Sequence, residues 1–249
     1  MAAQALAAAG ATVADGYAVH SLHCYFLRPG DTSVPIVYAV EATRDGRSFC
    51  FRRVVARQHG QSIFYLSASF QLPEPGLDHQ DTAPEVAPPD TCPSLGEHLA
   101  ATTGRPVARW ESEWSALDVR YAGDSRPGGR LQDPAHPAVA RVWMRAAGRL
   151  ADDPLLHACV LTYASDLTLL AATLVPHGIM IGDRSLQTAS LDHAMWFHRP
   201  FRADEWMLYD QVSPSASGAR GLGSGRVFTE DGRLIASAVQ EGLIRPVVR

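Results

Sequence analysis

The chain has 249 residues, 46% of them hydrophobic and 19% charged, an ordinary globular balance long enough for one large domain or two modest ones packed together. A net charge of −4 argues against a general nucleic-acid binder and leaves room only for a local basic patch. No run approaches the roughly 18 uninterrupted apolar residues that span a bilayer, and the Ala-rich start lacks the basic flank of a signal peptide, so neither a membrane nor a secreted setting is expected.

Residues 1–14, rich in Ala and Leu, predict a short apolar helix stopped by Asp15-Gly16. A meander follows. One strand covers 17–27, another covers 36–43 and turns at Asp45-Gly46 into 48–57, and His59-Gly60 turns that into 62–71. Residues 72–94 then carry Pro73, Pro75, Pro84, Pro88, Pro89 and Pro93 among acidic residues, which disfavours helix and central strand and predicts a linker on the surface. A helical turn at 95–101, a strand at 114–121, a polar loop at 123–136 and a strand at 138–146 complete the middle of the chain.

The second half repeats the order. Residues 155–176 contain a helix, best defined from Asp166 onward, that is apolar on nearly every face and therefore expected to be buried against a sheet. Pro176 and Gly178 stop it. Strands are predicted at 192–198, 205–212, 220–229 and 233–244, with a tight turn at Asp231-Gly232. A phrase repeats as well: Tyr25-Phe26-Leu27-Arg28-Pro29 returns as Trp196-Phe197-His198-Arg199-Pro200. Arg28 and Arg199 stand 171 residues apart, and Gly60 and Gly232 stand 172 apart. A repeat of that length is a duplicated domain rather than a solenoid unit, dividing the chain at 1–105, linker 72–94 included, and 106–249.

Common catalytic motifs are absent. No GxSxG elbow occurs. Gly221-Leu222-Gly223-Ser224-Gly225 looks fit for a phosphate but lies in a predicted strand, where glycines relieve crowding or permit a bulge. His20, His23, His193 and His198 lack companions at ligand spacing, so no metal is expected, and histidines hydrogen-bonded on strand faces are the preferred reading. Asp192 and His193, being neighbours on a strand, point to opposite faces and make a poor dyad. Cys24, Cys50, Cys92 and Cys159 are scattered without a CxxC pair, as suits reduced thiols in the cytoplasm.

The string Val19-His20-Ser21-Leu22-His23-Cys24-Tyr25-Phe26-Leu27-Arg28-Pro29-Gly30-Asp31 resembles the first half of the acyl-CoA thioesterase II family. So do Arg44-Asp45-Gly46-Arg47-Ser48-Phe49 and Ile63-Phe64-Tyr65-Leu66-Ser67-Ala68-Ser69-Phe70-Gln71. Tyr163-Ala164-Ser165-Asp166-Leu167-Thr168, Leu191-Asp192-His193-Ala194-Met195-Trp196-Phe197-His198-Arg199 and Val239-Gln240-Glu241-Gly242 are similar to its second half. The resemblance implies an α+β double hot-dog fold, in which two fused modules each wrap a long buried helix in an antiparallel sheet. It also implies hydrolysis of fatty acyl-CoA to fatty acid and CoA without a cofactor.

The family's catalytic set of Asp, hydroxyl and Gln falls on Asp166, Ser190 and Gln240, with Ser190 where Thr is usual. Placed at the helix start, Asp166 would be favoured as an anion by the helix dipole and could take a proton from water held by Ser190 and Gln240, while backbone N–H groups there polarise the thioester carbonyl. Shifted back by 171, Ser190 falls on Val19 and Gln240 near Ser69, while Asp166 falls before Met1. One site per chain is therefore expected, in the second module. The first module appears without an opening strand that the family usually has, an expectation that leaves a sheet edge for a second copy to cover in a homo-oligomer. A non-catalytic acyl-CoA binder and an enoyl-thioester hydratase are the competing readings.

Overall fold

The computed structural model describes residues 1–104, 114–126, 131 and 138–247. Helix α1 (Ala2–Gly10) precedes four strands, β1 (Ala18–Phe26), β2 (Val37–Asp45), β3 (Phe49–Gln58) and β4 (Gln61–Gln71). Beyond the linker come α2 (Leu95–Thr103), β5 (Leu117–Asp124), β6 (Val139–Ala146), α3 (Pro154–Ser165), the short α4 (Leu169–Ala172), β7 (Leu186–Ser190), β8 (Asp192–Phe197), β9 (Met207–Ser217), β10 (Arg220–Thr229) and β11 (Leu234–Pro246).

All strands join one antiparallel sheet in the order β2-β3-β4-β1-β8-β11-β10-β9-β6-β5, with β7 also on β11. Read outward from the β1–β8 junction, the order 1-4-3-2 on one side matches 8-11-10-9 on the other, so the duplication seen in the sequence is a duplication of topology. Strands β7 and β8 together stand for β1. Leu191 separates them at the position where β1 shifts register around His20.

The alternation of β3 and β4 turns Val54, Ala56, Phe64, Leu66, Ala68 and Phe70 inward, where all are buried. They close over α1, and α1 in turn packs on α3. A Cβ on Gly10 would meet the Leu155 side chain at 2.4 Å, so glycine lets the two helices approach. The helical stretch 154–177 is long and apolar enough to cross a membrane by composition, yet 78% of that apolar window is buried inside this fold as its core helix.

The repeated phrase is a clasp. Arg28 donates to the Ser62 carbonyl at 2.6 Å and Arg199 to the Leu234 carbonyl at 2.7 Å, each tying the end of one strand to the start of its neighbour. Beside them Leu27 N–H reaches Ile63 O and His198 N–H reaches Ile235 O. Arg199 carries a second load, since it also pairs with Asp78 and bonds the His79 carbonyl of the linker.

The linker crosses the outside of the second module as a strap. Gln80 bonds the Gly232 carbonyl and the Leu234 N–H, Asp81 pairs with Arg226, and Trp143 Nε1 donates to the Ala87 carbonyl. Beneath it lies a small outer core of Cys92, Ala122, Trp143, Trp206, Leu208 and Phe228. Helix α2 that follows opens with a reciprocal Ser94–Glu97 capping box and ends at Gly104, whose φ of 65° suits a left-handed cap.

The structure departs from the sequence expectations at several element boundaries, and β5 covers Leu117–Asp124 rather than 114–121. Helix α1 stops at Gly10, β7 was not foreseen, and β9 continues five residues past 212. Most of the expected loop 123–136 lies outside the described residues.

Candidate active site

The apolar helix is broken where its charge sits. Helix α3 starts at Pro154, capped by the Asp153 carboxylate accepting from Leu155 N–H at 2.9 Å, and ends at Ser165. Asp166 is its C-cap, and Leu169 begins the four residues of α4. This corrects the expectation that Asp166 opens the helix. At the C-terminal end of α3 the dipole disfavours an anion, and the N–H groups of that helix's start lie a dozen residues away, while those of the single-turn α4 begin three residues on.

Side chains supply what the dipole does not. Ser190 Oγ donates to Asp166 Oδ1 at 3.0 Å, and Gln240 Nε2 donates to the same oxygen at 2.5 Å and to Ser190 Oγ at 2.8 Å. The three residues come from the break after α3, the end of β7 and the middle of β11. Gln240 is fully buried, while Asp166 and Ser190 are half-buried. Both donors fall on Oδ1, which leaves Asp166 Oδ2 open as an acceptor, and Gln240 Oε1 has no partner among the described residues. Two oxygens that can only accept therefore flank one hydroxyl, and such a set is chemically able to take hydrogen bonds from a water.

The glycine-rich run makes this approach possible. Gln240 pairs with Gly223 across β10 and β11. A Cβ on Gly223 would sit 2.9 Å from the Leu169 carbonyl oxygen. Cβ atoms on Gly221, Gly225 and Gly242 would drive into Thr173, Tyr209 and Leu170. The sheet is bare where the broken helix lies on it, and β9 and β10 shift register between Leu222 and Ser224. Both sequence explanations for the glycines, relief of crowding and a bulge, hold together here.

His193, read from the sequence as a hydrogen-bonded strand histidine, stands close by. His193 is buried, and its Nε2 lies 2.8 Å from Ser165 Oγ, on the residue before Asp166. Burial pushes its pKa down, opposed by the nearby Asp166 and Asp192. Its inward direction was legible in strand alternation: His193 and Met195 share the inward face of β8, and Met195 is fully buried. Asp192 instead accepts from Glu241 N–H at 2.7 Å. Tyr209, also buried, donates to the Ser165 carbonyl at 3.3 Å, and burial with Asp166 nearby raises its pKa. His20 and His198 bond Ser69 and Ser237 at 2.8 and 2.9 Å, the bland reading preferred for them. The four cysteines are buried thiols, with burial pushing Cys159 up to about 12.

Comparison with known proteins agrees with this architecture. The profile described as acyl-CoA thioesterase matches residues 121–243, and that of the acyl-CoA thioesterase N-terminal domain matches residues 1–71. Human acyl-coenzyme A thioesterase 8 is 41% identical, over 97% of this chain and 78% of its own length.

The chain belongs to the acyl-CoA thioesterase II family.

The crystal structure of acyl-CoA thioesterase II TesB2 from Mycobacterium marinum is 46% identical and superposes with a TM-score of 0.85, covering 99% of this chain and 88% of that one. A hot-dog-fold protein of unknown function from Alicyclobacillus acidocaldarius, 20% identical, shares the fold at a TM-score of 0.77, over 99% and 86%. The fold of this family member is thus the α+β double hot-dog.

Its sheet register also fixes what stands opposite the trio in the first module. Tyr25 pairs with Tyr65 as Trp196 pairs with Ser237, which sets Ala68 against Gln240. Val19 pairs with Phe70 as Ser190 pairs with Gly242. Asp166 caps α3 as Ala11 caps α1. The constant shift that sent the counterpart of Asp166 before Met1 fails because the segment from α4 to β7 has no equivalent in the first module.

Proposed function

We propose that this acyl-CoA thioester hydrolase works by direct attack of water, with Asp166 as general base and Ser190 and Gln240 holding the water. The observation that supports it is the single hydrogen-bonded knot of three side chains from three elements, tied on Asp166 Oδ1 with Oδ2 left open. Water gives a proton to Oδ2 as its oxygen bonds the thioester carbonyl carbon. The tetrahedral intermediate then collapses, the C–S bond breaks, and the proton passes from Asp166 to the departing CoA thiolate. Free acid and CoA are released, and no side chain is acylated. Asp166 lies at the C-terminal end of α3 and not at its start, so its carboxylate is aimed by the Ser190 and Gln240 donors.

The catalytic work sits in the module of residues 106–249, with residues 1–105 as its packing partner. The protein is expected in the cytoplasm as a homo-oligomer, since β2 pairs with β3 alone among the described residues and Val37 on it is 64% exposed. Thiol release from acyl-CoAs, followed for the wild type and for Asp166→Asn, tests the reading. Release by the wild type with a crippled variant supports it, and a folded variant at the wild-type rate overturns it.

A further inference from the structure

The break after α3 has a second side that the water-holding knot does not use. Leu167 and Thr168, the two residues after Asp166, line a cleft between α2 and the inner face of β5, β6 and β9, with Leu99, Val142 and Val175 in its walls. It leaves about 50 Å³ of room for water-sized groups, several times the roughly 15 Å³ that one water needs. Into this mostly apolar space reach two polar side chains with no protein partner. Gln211 is completely buried, and neither its Nε2 nor its Oε1 bonds anything among the described residues. Thr168 is 8% exposed, and its Oγ1 is equally unmet. Gln211 lies two residues beyond Tyr209 on β9 and so faces the same way; Tyr209 bonds the Ser165 carbonyl, which sets Gln211 beside the turn that follows.

The charges in the cleft wall are already matched. Arg141 donates to Asp210 at 2.7 Å and Arg126 to Asp124 at 2.7 Å. What the cleft presents to a ligand is therefore neutral hydrogen bonding inside an apolar sleeve. A buried amide left unmet costs stability that leucine would not, so its place here calls for a group that meets it.

Resting on the thioesterase reading above, we propose that this cleft receives the acyl chain and that Gln211 and Thr168 select chains bearing a hydroxyl group. The hydroxyl donates to Gln211 Oε1 and accepts from Thr168 Oγ1. A carboxylate finds no unmatched cation in the two arginines, and a plain alkyl chain leaves the amide unpaired.

The test is a panel of medium-length acyl-CoAs, unsubstituted or carrying one hydroxyl moved carbon by carbon along the chain. The readout is kcat/KM by thiol release for the wild type, Gln211→Leu and Thr168→Val. The wild type is expected to favour one hydroxylated isomer over the plain chain by about tenfold, with the ratio falling toward one in either variant. Should Gln211→Leu not fold, the wild-type panel and Thr168→Val, which keeps its shape, carry the test. Equal rates across the panel, or a preference that survives the substitutions, overturn the proposal; the second result means that other groups make the selection. If the wild type cleaves no acyl-CoA, the thioesterase reading fails and this one with it, whereas cleavage without preference overturns this one alone.

Discussion

The two modules share a strand order, a clasp and a helix, and they differ at the three positions that make the knot. Where the second has Asp166, Ser190 and Gln240, the first has Ala11, Val19 and Ala68. A fourth pair completes the contrast: Gly223, bare so that the helix break can lie on it, stands where the first module has Arg52. Arg52 is buried, and its guanidinium bonds Thr12 Oγ1, the carbonyls of Thr12, Arg44 and Phe51, and the Asp45 carboxylate. One module fills the space behind its helix with a fully bonded cation; the other keeps it lined with acceptors that no protein group meets. On the proposed reading the same scaffold serves stability in one half and chemistry in the other.

Substitutions can break that contrast, the largest effect being expected at the proposed base. Asp166→Asn should lower kcat by about 10²- to 10⁴-fold in thiol release, with the melting temperature nearly unchanged. Arg52→Met should do the reverse, costing about 2–3 kcal/mol in chemical denaturation while the folded enzyme turns over normally. Gly223→Ala places a methyl group against the Leu169 carbonyl and should cost about 1–3 kcal/mol by the same measurement, with activity falling as Gln240 is pushed off register.

A pH effect sharpens the comparison further. The pKa of His193 is lowered in the fold from its ordinary 6.5, so as the pH falls through that value the unfolded chain takes up a proton that the folded one refuses. Stability should therefore drop on acidification, His193 alone contributing at most about 1.4 kcal/mol per pH unit, until its folded pKa is reached. His20 and His198 shift in the same direction, so His193→Asn should flatten the slope without abolishing it. Smallest of all, Ser190→Thr restores the residue usual in the family and should change kcat by less than about threefold, because the hydroxyl is kept.

Much of this fold was legible in the chain. Turn chemistry at Asp45-Gly46, His59-Gly60 and Asp231-Gly232 marks hairpins, and the Arg-Pro phrase marks the duplication. The trio was legible only through resemblance, since an Asp, a Ser and a Gln scattered over 75 residues carry no spacing of their own. The break after Ser165 was hidden because helix periodicity does not register a three-residue turn inside an apolar run. Strand β7 was hidden because Leu186–Ser190 is short and its half-buried face carries two hydroxyl residues, Thr188 and Ser190, so no apolar alternation marks it. Gln211 left no sequence signal at all, as a glutamine on a strand is ordinarily solvated and only the packed sheet shows it sealed in.

If the knot of Asp166, Ser190 and Gln240 serves the reaction rather than the fold, Gln240→Leu shows it most directly. Its kcat in thiol release, measured beside its melting temperature, should fall by tenfold or more, about 1.4 kcal/mol in the barrier, while stability changes little, because the loss of the two Nε2 hydrogen bonds is offset by removing the unmet Oε1 from the interior. Wild-type turnover in the folded variant would contradict it.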